Sequence, residues 1–251
     1  MPSTKINGFD HYYEDVGSGP VLIMMHGAGA SSHALAHNFD DLSKDFRVIA
    51  PDMRAMGKSE HVAEIPPSAW VDDLVGLVEE LGIDKAFVHG VSLGSRVALK
   101  YATGNQEHVR GLILDGPIVA QTAEGNASVG ATFDLSSYSE ERKARLRDQH
   151  GDDWATVSEN YLNIRNKTEL QDYYDQRETF PSVKVPVLIM RGDIDDTNHK
   201  LSYTYELHKG LEDSRLAIVP GIGFGVSLNR PEIFRGLVRD FAKELAAATA
   251  S

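Results

Sequence analysis

Six short apolar runs constrain this chain more than any other feature. They occupy residues 21–25, 47–50, 86–89, 112–114, 187–190 and 216–219, and each stops at a turn such as His26-Gly27, Pro51-Asp52, Asp115-Gly116-Pro117 or Pro220-Gly221. A strand covered on one face alternates apolar with polar residues. An unbroken apolar run needs cover on both faces, as in a parallel sheet between two layers of helices. The intervening segments supply those helices. Trp70, Leu74, Leu77, Val78 and Leu81 recur at the helical period, with Ser68 as a candidate N-cap and Gly82 as a stop. Val97, Leu99 and Tyr101 fall on a helix beginning at Ser92. Pro231 suits a first helical turn, and Phe234, Leu237, Val238, Phe241 and Leu245 form one stripe after it. These stripes read as core. Strand–helix alternation predicts right-handed crossovers and an α/β fold with a mostly parallel, doubly wound sheet. Ligands of such sheets sit beyond the carboxyl ends of the strands.

Two segments depart from the alternation. Residues 6–16 read as an antiparallel edge hairpin. Residues 118–183 carry no strong strand signal and read as helical over 140–150, 153–164 and 169–178, with Pro181 and Pro186 bracketing the return to the sheet. We therefore expect a core of residues 1–117 and 184–251 and a helical insertion of residues 118–183 lying over the strand ends. The Ala-rich end, residues 246–251, is expected to fray.

Composition removes several classes. The 251 residues hold 25 Lys and Arg against 37 Asp and Glu, a formal charge of −12, which argues against a nucleic-acid partner. With no cysteine, disulfide scaffolds, zinc ribbons and thiol nucleophiles are excluded. No stretch approaches the roughly 20 apolar residues of a membrane span, and the first residues lack the apolar segment of a secretory signal. The expectation is a soluble cytoplasmic protein with a small-molecule substrate or ligand. Asp193, Asp195 and Asp196 lack the spacing of a calcium loop. No phosphate-cradling loop is present, and Gly17-Ser18-Gly19 precedes a strand instead of a helix. No metal and no cofactor are expected. Oligomeric state is not encoded in any pattern of the sequence.

The sharpest chemical feature is Gly90-Val91-Ser92-Leu93-Gly94, which follows the run at 86–89 and opens a helix. That context defines a nucleophile elbow, a strained turn that exposes a serine hydroxyl at a helix N-terminus. The glycines are needed because side chains beside the serine would clash. His26-Gly27-Ala28-Gly29-Ala30 follows the run at 21–25. The Ala28 N–H, paired with that of Leu93, would hold the oxyanion of a tetrahedral intermediate. His26 is tempting as a base, but a histidine that orders this loop is the plainer account. A carboxylate to orient an imidazole could come from Asp193, Asp195 or Asp196, or from Asp115, for which a turn role is simpler.

Taken together, these segments resemble the α/β-hydrolase superfamily along nearly the whole chain. They are similar to its small esterase, lactonase and carbon–carbon-bond hydrolase branch. The matching pieces are the loop His26-Gly27-Ala28-Gly29, Asp52-x-Arg54-x-x-Gly57-x-Ser59, the elbow, Gly192-x-x-Asp195 and Pro220-Gly221-x-Gly223. The resemblance implies Ser92 as nucleophile, Asp195 as the triad acid, Ala28 and Leu93 as oxyanion donors, and the insertion as a cap over the pocket. The family's histidine directly follows the second glycine of the last loop, and here that position is Phe224. A serine without a base is a poor nucleophile, so the resemblance implies a hydrolase scaffold for esters or lactones, or for a carbon–carbon bond beside a ketone, impaired as written. Three explanations follow: a histidine removed by design, a natural relative that binds an apolar ligand or partner without turnover, or another base. For the last, His199 follows the acid loop and His33 and His37 follow the oxyanion loop, each plainly readable as a surface histidine. Ala55 stands where the family usually has glycine and is asked to take a glycine-like conformation. Met56 suits either the pocket edge or the core.

Overall fold

The computed structural model describes residues 3–250, and for residues 249–250 only the backbone. In chain order the elements are β1 (Ser3–Ile6), β2 (Phe9–Gly17), β3 (Val21–Met25), α1 (Phe39–Leu42), β4 (Arg47–Pro51), α2 (Ala69–Glu80), β5 (Ala86–Val91), α3 (Leu93–Gly104) and β6 (Val109–Asp115). Then follow α4 (Ala123–Thr132), α5 (Glu140–His150), α6 (Trp154–Arg165), α7 (Thr168–Tyr173), β7 (Val187–Gly192), α8 (Leu201–Gly210), β8 (Ser214–Val219), α9 (Val226–Asn229) and α10 (Pro231–Ala250). The strands form one eight-stranded sheet in the order β1-β2-β4-β3-β5-β6-β7-β8. At one edge β1 pairs antiparallel with β2 and β2 antiparallel with β4, and the remaining pairings are parallel.

Alternate residues of the central strands feed two separate cores, which is why the apolar runs are unbroken. Ile23, Met25 and Ile49 pack with Trp70, Leu74 and Val97 from α2 and α3. Leu22, Met24 and Val48 face the other way, onto Phe234, Val238 and Phe241 of α10. The edge strand β8 is the exception, with Leu216 and Ile218 exposed.

Several local expectations need correction. Ser68 precedes α2 but makes no capping bond, its hydroxyl donating instead to the Asp72 carboxylate at 2.7 Å. The expected helix over 169–178 stops at Tyr173, and the chain turns to bury Tyr174 and let Gln176 donate to the Arg96 carbonyl at 2.9 Å. The helix α4 was not foreseen. It is capped by Thr122, whose hydroxyl accepts the Gly125 N–H at 3.0 Å. The Ala-rich end is helical through Ala250, and Ser251 lies outside the described residues. Between β6 and β7 the chain is helix, 3-10 turn and loop only. Among the described residues, no helix is long and apolar enough to cross a membrane.

Candidate active site

The elbow is built by close packing. Ser92 sits between β5 and α3 at φ 55° and ψ −116°, a conformation that costs an L-residue energy and is found at functional turns. A Cβ on Gly90 would lie 2.1 Å from the Gly94 carbonyl oxygen, and one on Gly94 would lie 2.4 Å from that of Met25. Only glycine fits either place. The Ser92 N–H donates to the Asp115 carbonyl at 3.0 Å, tying the elbow to the end of β6. Leu93 is the first residue of α3, where backbone N–H groups have no carbonyl a turn behind them. Ala28, Ser92 and Leu93 all line one cavity of about 370 Å³ at the strand ends.

His26 orders the oxyanion loop and cannot act as a base. Its Nε2 accepts the Met53 N–H at 3.0 Å, which puts the ring proton on Nδ1, 2.7 Å from the Gly27 carbonyl it donates to. The ring is fully buried, and burial lowers its pKa, so it stays neutral. Asp52 braces the same loop, accepting the Ser32 N–H at 2.6 Å and the Lys58 N–H at 2.7 Å. Ala55 does take the left-handed conformation, at φ 67°. Met56 is core.

The expectation that no base stands beside Ser92 is not met by the geometry. His199 Nε2 lies 2.9 Å from Ser92 Oγ. Its other nitrogen, Nδ1, lies 3.1 Å from both carboxylate oxygens of Asp196. A carboxylate there fixes the proton on Nδ1 and leaves the Nε2 lone pair facing the serine. The carboxylate beside this imidazole is therefore Asp196, not Asp195. Asp195 is turned outward: its Oδ1 accepts the Leu201 N–H at 2.6 Å at the start of α8 and faces the Arg191 guanidinium at 3.1 Å.

The physical reason lies in Arg191, which is fully buried at the end of β7. Its guanidinium donates to the carbonyls of Gly192, Ile194 and His199 and to Asp195, and so winds residues 192–199 around itself. Asp196 Oδ1 also accepts the backbone N–H groups of Asn198 and His199, each at 2.8 Å. Burial pushes the Asp196 carboxyl up, but its hydrogen bonds with the His199 ring and these N–H groups outweigh that and hold it below the usual carboxylate range.

The remaining candidates have other partners. Asp193 accepts the Gly221 N–H at 2.7 Å. Asp115 is fully buried and accepts the N–H groups of Val226 and Ser227, each at 2.8 Å, which anchors the loop carrying Phe224. His33 pairs with Asp148 at 3.8 Å, and His37 with the Ser227 carbonyl at 2.8 Å. Phe224 lies flat against the His199 ring, with centroids 3.8 Å apart and planes 14° from parallel. The signal for His199 was the spacing Asp196-x-x-His199, which lets one carboxylate hold both the turn and the ring.

Residues of the segment between β6 and β7, including Val129, Phe133, Tyr161 and Arg165, also line the cavity. Its exposed surface is mostly apolar, as in small-molecule sites. Among the described residues, no group of three or more His, Asp or Glu is placed to hold a metal.

Fold and elbow together define a class, and comparison with known proteins assigns the chain to it. Residues 20–231 match the family model for the alpha/beta hydrolase fold, so the chain belongs to that family. It is 25% identical over 268 residues to a 2-hydroxy-6-oxo-2,4-heptadienoate hydrolase of Pseudomonas putida, with 93% of each chain covered. It is 40% identical over 107 residues to a 2-hydroxymuconate semialdehyde hydrolase of a Pseudomonas species, an alignment spanning 41% of this chain and 38% of that one. Among solved structures, a meta-cleavage product hydrolase from Pseudomonas fluorescens superposes with a TM-score of 0.81 at 25% identity, covering 97% of this chain and 98% of that one. A thermophilic esterase from Thermogutta terrifontis shares the fold, with a TM-score of 0.81 at 20% identity over 98% of this chain and 99% of that one.

Proposed function

We propose that this chain is a serine hydrolase of small carboxylic esters or lactones, with Ser92 as nucleophile, His199 as general base and acid, and Asp196 as the carboxylate that orients it. The observation that carries this reading is the unbroken chain from Ser92 Oγ to His199 Nε2 and from His199 Nδ1 to Asp196. Ser92 Oγ attacks the substrate carbonyl carbon while His199 Nε2 takes its proton. The Ala28 and Leu93 N–H groups hold the oxyanion. Collapse of the intermediate breaks the ester bond, and His199 returns its proton to the leaving oxygen. Water then attacks the acyl-enzyme, giving its proton to Nε2, and the second collapse releases the acid and restores Ser92 Oγ–H. The helices between β6 and β7 serve as the cap that shapes the pocket.

Phe224 fills the place of an imidazole and acts as the wall behind one. A second reading, hydrolysis of a carbon–carbon bond beside a ketone, is favoured by relatives named as hydrolases of 2-hydroxymuconate semialdehyde and 2-hydroxy-6-oxo-2,4-heptadienoate. The same oxyanion chemistry serves it. Reading the chain as a binder without turnover relied on the absence of a base, and His199 beside Ser92 removes that support.

Hydrolysis of short aryl esters at neutral pH tests the proposal. The chain as written is expected to turn over, and Ser92→Ala to lose turnover while keeping its fold. An inert wild type that also fails to react with a fluorophosphonate would overturn it.

A further inference from the structure

Two arginines stand in the cavity with no part in the proposed chemistry. Arg96 lies on α3, one helical turn beyond Ser92, and Arg165 ends α6. Both line the cavity and are buried, at 3% and 4% exposure. The chain's other buried arginines, Arg54 and Arg191, each face a carboxylate, Asp73 and Asp195. Arg96 and Arg165 face none within ion-pair distance among the described residues. Arg96 Nε and Nη2 have no hydrogen-bond partner, and its guanidinium carbon lies 5.3 Å from the centre of the Tyr174 ring. Arg165 donates to Asn126 Oδ1 at 2.9 Å and to the Tyr161 hydroxyl at 3.4 Å, and its Nε is unpartnered.

Buried charges are ordinarily paired, because an unpaired one forfeits its hydration. Here two line one cavity, and each charge opposes the other. Burial pushes Arg96 down to about 10, with Arg165 acting in the same direction and Tyr161, Tyr174 and the more distant Asp175 against it, so it remains cationic at neutral pH. The other ionisable groups lining the cavity are His26, Tyr161, Asp196 and His199, and the Tyr161 hydroxyl already meets Arg165. His26 is neutral, and Asp196 is taken up by His199 and its own turn. The cavity therefore holds two cations and no free anion to match them. Guanidinium forks match carboxylates in shape and donor spacing.

We propose that Arg96 and Arg165 form an anion subsite, so that the preferred ester or lactone carries a free carboxylate besides its reacting carbonyl. This deepens the serine-hydrolase reading and rests on it for the reaction. Four residues separate Arg96 from Ser92, a rise of about 6 Å along a helix. A carboxylate a few bonds from the reacting carbonyl spans that distance.

The test compares matched esters on the wild-type protein. 4-Nitrophenyl hydrogen glutarate is set against its methyl ester, and 4-acetoxybenzoate against its methyl ester, which places the charge on the acyl side or on the leaving side. We expect at least one anionic ester to exceed its neutral partner about tenfold or more in kcat/KM, a margin of one charge-assisted contact. That ratio should collapse in Arg96→Gln and Arg165→Gln and be partly kept in Arg165→Lys. Turnover of the neutral esters with no anionic preference would overturn the subsite and leave the hydrolase reading standing. If no ester is turned over and a fluorophosphonate leaves Ser92 unlabelled, the hydrolase reading fails, and thermal melting in glutarate decides the subsite alone. A melting point raised by glutarate in the wild type, and not in Arg96→Gln, supports it. No rise overturns it.

Discussion

The loop after β7 and the loop after β8 share the work of the site unequally. Residues 193–200 carry both the carboxylate and the imidazole that line up behind Ser92. Residues 220–225 contribute only the flat face of Phe224. The loops are otherwise bound as one unit: Gly192 and Ile194 donate to the carbonyls of Gly223 and Ile222, each at 3.0 Å. The ring nitrogen that meets a serine is set by where the imidazole arrives, whichever loop delivers it. Three residues are enough for Asp196 to reach the ring of His199, because that turn is held by the same carboxylate.

The largest effect separating the two loops is expected from His199→Gln, which should cut kcat by about 10⁴–10⁶ with the fold intact by circular dichroism. Asp196→Asn should follow, with a loss of roughly 10⁴, since the amide no longer fixes the Nδ1 proton. Asp195→Asn, one residue away, is expected to leave kcat within about threefold of wild type. Its effect should appear in stability, about 1 kcal/mol by urea unfolding, through the weakened bond to the Leu201 N–H at the start of α8. Equal losses at 195 and 196 would break the comparison. Phe224→Ala should lower kcat by about 10–100-fold by loosening the ring it supports, with KM little changed.

A further effect lies away from both loops and touches stability alone. His150 of α5 accepts the Gly57 N–H at 2.8 Å and contacts the Gly29 carbonyl at 3.1 Å, joining the segment above the cavity to the oxyanion loop. Burial pushes this imidazole down to about 4. Between that value and the unfolded value near 6.5, the unfolded chain holds a proton that the folded chain refuses. Stability should therefore fall as pH drops from about 6.5 to 4, by up to about 3 kcal/mol from this group. His150→Asn should flatten that slope in urea titrations at several pH values, and an unchanged slope would remove His150 from the account.

How much of this was legible in the sequence follows from how local each feature is. The strands and the elbow are readable because burial on two faces leaves unbroken apolar runs, and because the two glycines flank a serine directly between such a run and a helix, Gly90 held by the Gly94 carbonyl of its own turn and Gly94 by the Met25 carbonyl of β3. A loop-ordering role for His26 is the plainer account from sequence, whereas a turn role for Asp115 does not anticipate that its carboxylate holds the distant Val226 and Ser227 N–H groups. Asp195 and Asp196 cannot be told apart in the sequence because Asp193, Asp195 and Asp196 are chemically alike, and the buried Arg191, which takes Asp195, leaves Asp196 to face the His199 ring. His199 was visible as a candidate, but nothing in its spacing shows that its loop curls back over Ser92. The helix α4 was hidden because its composition, with Gly125 and Gly130, is poor for helix and only the Thr122 cap signals it.

The central claim, that His199 rather than a side chain at position 224 activates Ser92, is tested most directly without knowing the substrate. The measurement is the rate at which a fluorophosphonate modifies Ser92 in the wild type, in His199→Gln and in Phe224→His. The expected result is rapid modification of the wild type, loss of it in His199→Gln, and no gain in Phe224→His, because the ring of His199 already occupies the place beside Ser92. Undiminished labelling in His199→Gln, or a rate in Phe224→His orders of magnitude above wild type, would contradict it.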